Sequence, residues 1–167
     1  MFTLRCTQKL LRRMPAVLRG ENAAPTTLLG DWYANVLFLR PHQVALCISE
    51  RTLLPLVVPA KDAVRLADRL IQELPAILSA LNIQPSAIDQ EIGAMQDRYV
   101  GSTNNRRVLG SLNELVFQLA HQLRSRPGRT LFEHALRLAE TPMSLIDSSP
   151  DRATRALFDV QTTLRSL

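Results

Sequence analysis

The chain has 167 residues, 46% of them hydrophobic and 21% charged, with a formal net charge of +5. That length suits a single domain, residues 1–167, burying about 70% of its unfolded surface without a disulfide or metal staple. The hydrophobic content excludes disorder as the main state, and an isoelectric point near 10 favours anionic partners.

The N-terminal third reads as strands. Phe2, Leu4 and Cys6 alternate with Thr3 and Arg5, the pattern of a short half-buried strand. Thr7 stands where a helix N-cap belongs, and Gln8–Met14 reads as two helical turns stopped before Pro15. Leu10, Leu11 and Met14 form its inner stripe, with Lys9, Arg12 and Arg13 outside. Residues 15–31 are a long connector. Three apolar runs follow, Ala34–Leu39, Gln43–Glu50 and Leu53–Val58, broken by Arg40-Pro41-His42 and Arg51-Thr52. They predict an antiparallel meander, with Pro55 marking the third run as an edge or a short strand.

From Lys61 the apolar period becomes helical. The first helical segment, from Val64 to Leu81, contains Pro75, which is expected to kink or divide it. Further helices are predicted from Pro85, from about Asn105, over Leu131–Glu140 and from the cap Ser149-Pro150-Asp151. Strands first and helices after imply an α+β fold: a strand-rich part (1–60) with three to four antiparallel strands, and a helical part (61–167) with four to five helices packed on one face of the sheet.

The charge is placed unevenly. Residues 1–20 carry five cations (Arg5, Lys9, Arg12, Arg13, Arg19) and no acid; residues 98–129 carry six arginines and one acid, Glu114. Asn104, Asn105, Arg106 and Arg107 sit where the longest helix begins. Cations are unfavourable there on the dipole argument, so donors plus two guanidiniums suggest an anion site. The structural alternative is pairing of these arginines with Asp31, Asp89, Glu91 or Asp97. If the first helix lies beside the longest one, the two basic segments merge into one surface. The basic segments are poor in aromatics, and Phe117 is expected in the core, so contact with phosphate rather than base stacking is the expected mode.

A second cluster, Asp31, Trp32 and Asn35, enters the sheet beside the connector. It reads as an aromatic anchor or, with Arg51, as a pocket wall. The two cysteines, Cys6 and Cys47, read as buried reduced thiols; a disulfide between them would need paired strands and an oxidising compartment. No Walker loop, G-x-G-x-x-G, H-E-x-x-H or C-x-x-C is present. His42, His121 and His134 lack metal-ligand spacing, so neither a metal nor a cofactor is expected, although Glu133-His134 is an acid–base pair to test. Without a signal sequence or an apolar run near 20 residues, a cytoplasmic protein with no membrane partner is expected.

The segments FTLRCTQKLL, GDWYANVLF, SERTLLPLVVPA, NNRRVLGSLNELVF and LRLAETP, in this order, resemble an uncharacterised bacterial family, a domain of unknown function, over most of the chain. The resemblance implies a small bacterial protein and brings no activity with it. That family's pattern has a small polar residue at Arg107 and Asp at Glu114, which favours Arg106 for any shared role.

Three functions remain open on these residues. The first is a non-enzymatic module whose basic face (Lys9, Arg12, Arg13, Asn104, Asn105, Arg106, Arg107) contacts nucleic-acid phosphates without sequence preference. The second is a protein–protein module, with an acidic protein or a toxin or mobile-element protein as partner. The third is an enzyme for a phosphorylated small molecule, which needs Asp31, Asn35, Arg51 and Arg106 around one cleft.

Overall fold

β1 (Phe2–Cys6) lies inside a five-stranded mixed sheet rather than completing an antiparallel one. The computed structural model describes residues 1–15 and 23–165; the middle of the expected connector, with Arg19, lies outside them. β1 pairs in parallel with β2 (Trp32–Leu39) on one side and β5 (Arg98–Ser102) on the other. β3 (His42–Ser49) and β4 (Pro55–Pro59) continue antiparallel from β2, so the order is β4-β3-β2-β1-β5. The meander and its proline-marked edge strand stand as read; β5 and both parallel pairings do not appear in that reading. A parallel neighbour needs a crossover of a dozen or more residues, and the long link between β1 and β2 provides one. β5 has the weak apolar signature of an edge strand: only Val100 of its five residues is buried.

Registers assign the two faces. Leu4↔Trp32, Cys6↔Ala34 and Ala34↔Cys47 share one face with Phe38 and Gln43; Arg5↔Tyr33 and Tyr33↔Ile48 share the other with Leu37 and Leu39. Both faces are buried, so helices cover both, which corrects the one-faced arrangement. Cys6 and Cys47 sit on one face with β2 between them. Two strand spacings put them about 9.6 Å apart, beyond the roughly 7 Å a disulfide spans. Both are free and buried.

Among the described residues, six α-helices complete the α+β fold. α1 (Gln8–Leu11) is shorter than predicted and lies on the Phe38 face. α2 (Leu66–Ala80) runs through Pro75 as one helix. α3 (Pro85–Ala94) has proline in its first turn, as expected. α4 (Arg106–Ser125) lies on the opposite sheet face from α1. Its buried stripe is Val108, Leu112, Leu115, Leu119 and Leu123. Phe117 falls off that stripe and is 78% exposed, contrary to expectation. α5 (Leu131–Ala139) opens on a capping box between Thr130 and Glu133. α6 (Pro150–Arg165) is held to the turn between β3 and β4 by a buried Thr154–Thr52 hydroxyl bond of 2.9 Å. Fully burying one core side chain such as Leu4 contributes about 1.5–3 kcal/mol.

Candidate functional site

β2 outruns β1. The β1 pairing ends at Ala34, while β2 and β3 stay paired to Leu39↔His42, so the hairpin projects past the end of β1. α1 packs on one face of this projection. There Lys9 Nζ lies 4.7 Å and the Arg13 guanidinium 5.2 Å from the ring centre of Phe38, within cation–π range. Lys9 also donates to the Val36 carbonyl, a group that β1 no longer covers. With its amide oxygen turned toward Arg13, Gln43 accepts two guanidinium hydrogen bonds at 2.6 and 2.8 Å. Phe38 is 51% exposed.

On the other face the last turn of α4 meets the hairpin turn. Leu39, Arg40, Pro41, Leu123, Arg124 and Pro127 line a groove of about 280 Å³. Arg12, Arg40 and Arg124 are exposed. Among the described residues, none of Lys9, Arg12, Arg13, Arg40 or Arg124 lies within ion-pair distance of a carboxylate; the ion pairs involve other arginines. Five cations thus gather at one end of the molecule, brought by β1–α1, the hairpin and α4. Sequence reasoning missed Phe38, Arg40 and Arg124. Phe38 lies 25 positions from Arg13, and only the pairing of β2 beside β1 brings them together.

Asn104–Arg107 lie at the other end of α4, where 18 residues at 1.5 Å rise put Arg106 about 27 Å from Arg124. Asn105 spends its side-chain oxygen on the Arg107 and Val108 N–H groups, which removes helix-end donors an anion would use. Asn104 Oδ1 accepts the Tyr33 hydroxyl. Arg106 and Arg107 are exposed, with no carboxylate partner among the described residues. The sheet separates α1 from α4, so the condition for a side-by-side merger of the two basic segments is not met; they approach each other round the hairpin tip.

Asp31 turns inward. Its carboxylate accepts the Thr3 N–H at 2.8 Å and two Arg5 contacts at 2.9 Å, in a pair about 95% buried on both sides. Thr3 and Arg5 are therefore buried, not solvent-facing, and Arg5 is no part of the basic surface. Gly30, with φ +81°, turns the chain into this strand; a Cβ there would meet the Glu50 and Arg51 side chains at 3.1–3.2 Å. Trp32 is fully buried, the aromatic anchor. Thr7 does not cap α1 with its side chain; its hydroxyl donates to Asn35 Oδ1, which also takes the Val36 N–H. Arg51 alone of the four enzyme candidates lines the cleft of about 420 Å³ between α3, α6 and residues 25–28. In that cleft buried Glu91 accepts the Leu28 and Leu29 N–H groups at 2.7 and 2.9 Å, and burial pushes its carboxyl above the usual range despite those bonds. Among the described residues, no cysteine or histidine lines it. Glu133 is spent on the Thr130 cap while His134 points inward to Gln122, so the two do not form an acid–base pair.

The chain belongs to the family described as Domain of unknown function (DUF6933), whose family model matches residues 3–153. That span contains β1 from Thr3 onward, the hairpin and all of α4, hence every residue of the cationic tip. No curated protein and no solved structure matches the chain. Among the described residues, no helix is long and apolar enough to cross a membrane.

Proposed function

We propose that this domain is a non-enzymatic binding module that holds nucleic-acid phosphate through the tip of its projecting hairpin. The observation that supports this reading is the gathering of Lys9, Arg12, Arg13, Arg40 and Arg124 at the hairpin end, with no carboxylate partner among the described residues, two of them over the half-exposed Phe38 ring. Cations already neutralised by acids release no counterions on binding; these five do. Phosphate contacts position a nucleic acid without reading it, so the module is indifferent to sequence. Arg106 and Arg107, at the far end of α4, are secondary contacts at most.

Fluorescence anisotropy of a labelled oligonucleotide, repeated across salt, tests this. With five contacts, raising salt from about 50 to about 200 mM weakens duplex binding roughly 500-fold and single-strand binding roughly 130-fold. The Arg12→Gln/Arg13→Gln double variant lowers the magnitude of the salt slope by about 1.4–1.8, whatever the sequence. Absence of binding at low salt, or a slope unchanged in that variant, refutes the reading.

A further inference from the structure

We propose that the groove beside the hairpin turn is a slot for one unstacked base, so that the domain selects single-stranded over duplex nucleic acid. This rests on the phosphate-binding reading of the same tip and adds what that reading lacks, a recognition element for something other than phosphate. The groove has two chemistries. Four of its lining residues are apolar, Leu39, Pro41, Leu123 and Pro127, the floor on which a base would rest; Arg40 and Arg124 line it as well. Phosphate alone would use the two arginines and leave the apolar lining wet. A duplex keeps its bases stacked inside and presents only backbone and groove edges, so it too would leave the floor empty. A single strand offers a planar apolar face and an adjoining phosphate together, the pairing that single-strand binders use.

Size agrees with this occupant. The groove holds about 280 Å³, just under the roughly 300–1,000 Å³ typical of drug-sized ligands, so it suits one ring system rather than a whole nucleotide. Arg40 and Arg124 can each lay a guanidinium plane against a base as well as meet its phosphate. The strand then continues round the tip to Lys9 and Arg13 on the opposite face, where half-exposed Phe38 stands between them and the hairpin. The charge excludes an apolar peptide as occupant; an acidic peptide is left as an outcome of the test.

The decisive experiment uses the unaltered protein. Anisotropy competition at one salt concentration compares four probes: a short single strand, the same backbone with its bases removed, the matching duplex and polyglutamate. The slot predicts that the intact strand binds at least about fivefold more tightly than the abasic strand, the low end of what one stacked base contributes, and more tightly than duplex or polyglutamate. Leu39→Ser brings the intact strand down to the abasic affinity and leaves the abasic strand unchanged; Pro127→Ser, in an exposed loop, repeats the test without touching the sheet. Equal affinity for intact and abasic strands overturns the slot and leaves the phosphate reading standing. Polyglutamate binding as tightly as the strand overturns the slot in favour of an acidic protein. No binding of any nucleic acid overturns both readings.

Discussion

Asp31→Ala removes one half of a buried ion pair and leaves the other. Arg5 Nε and one terminal nitrogen each lie 2.9 Å from Asp31 Oδ2, and the side chains are 5% and 4% exposed. Thr3 N–H loses its acceptor as well, at 2.8 Å. Breaking a buried ion pair by removing one partner costs about 3–5 kcal/mol, most of it desolvation that the lost carboxylate compensated. That is a large share of the roughly 5–15 kcal/mol available to a domain. At the centre of the range, about 4 kcal/mol, a urea m-value near 2 kcal/mol/M gives a midpoint about 2 M lower. The same loss lowers Tm by about 8–16 °C for a chain of this size. Arg5→Met/Asp31→Leu replaces the whole pair with apolar groups and recovers most of the loss, because neither charge then remains buried. The assay is urea unfolding of Arg5→Met, Asp31→Leu and the double variant, closed as a double-mutant cycle, with Asp31→Ala measured beside them. A loss below about 1 kcal/mol in Asp31→Ala, or a double variant as unstable as the sum of the singles, would refute the argument that the pair is held by burial.

Glu91 gives the fold a pH dependence of known sign. Its folded carboxyl titrates above the ordinary 4.5 because it is buried, so its contribution to stability is full below that pH and is lost as pH rises through the folded value. The urea midpoint of Glu91→Gln therefore falls less than that of the unaltered protein as pH is raised from 4.5; superimposable pH profiles would count against the buried carboxyl as the source. Burial pushes the Cys6 thiol up to about 12, and burial followed by the neighbouring Cys6 raises Cys47 further. Neither thiol reacts with a thiol reagent in the native protein at neutral pH, and both react at the rate of unfolding in denaturant; rapid native-state labelling of either one contradicts the packing.

Local signals carried the elements. The alternation of Phe2, Leu4 and Cys6, the break at Arg40-Pro41, Pro85 in a first helical turn and the helix start near Asn105 are each decided within a few residues, and all are where the sequence puts them. β5 escaped because an edge strand needs little apolar character, and it is held by the backbone of β1 rather than by its own pattern. Arg5 was misread because alternation tells which side a residue faces, not whether that side is covered; Asp31, 26 residues later, decides that.

The candidate site divides in the same way. Composition and order alone determined an α+β chain with a placed cation excess, since both depend only on which residues occur and in what sequence. Which cations meet was left to the tertiary structure. Parallel pairing of β1 with β2 set Phe38 beside Lys9 and Arg13. The length of α4 carried Arg124 to Arg40 and away from Arg106. Strand register and helix direction are non-local: each is chosen by burial of both sheet faces at once, and no window of the sequence contains that choice.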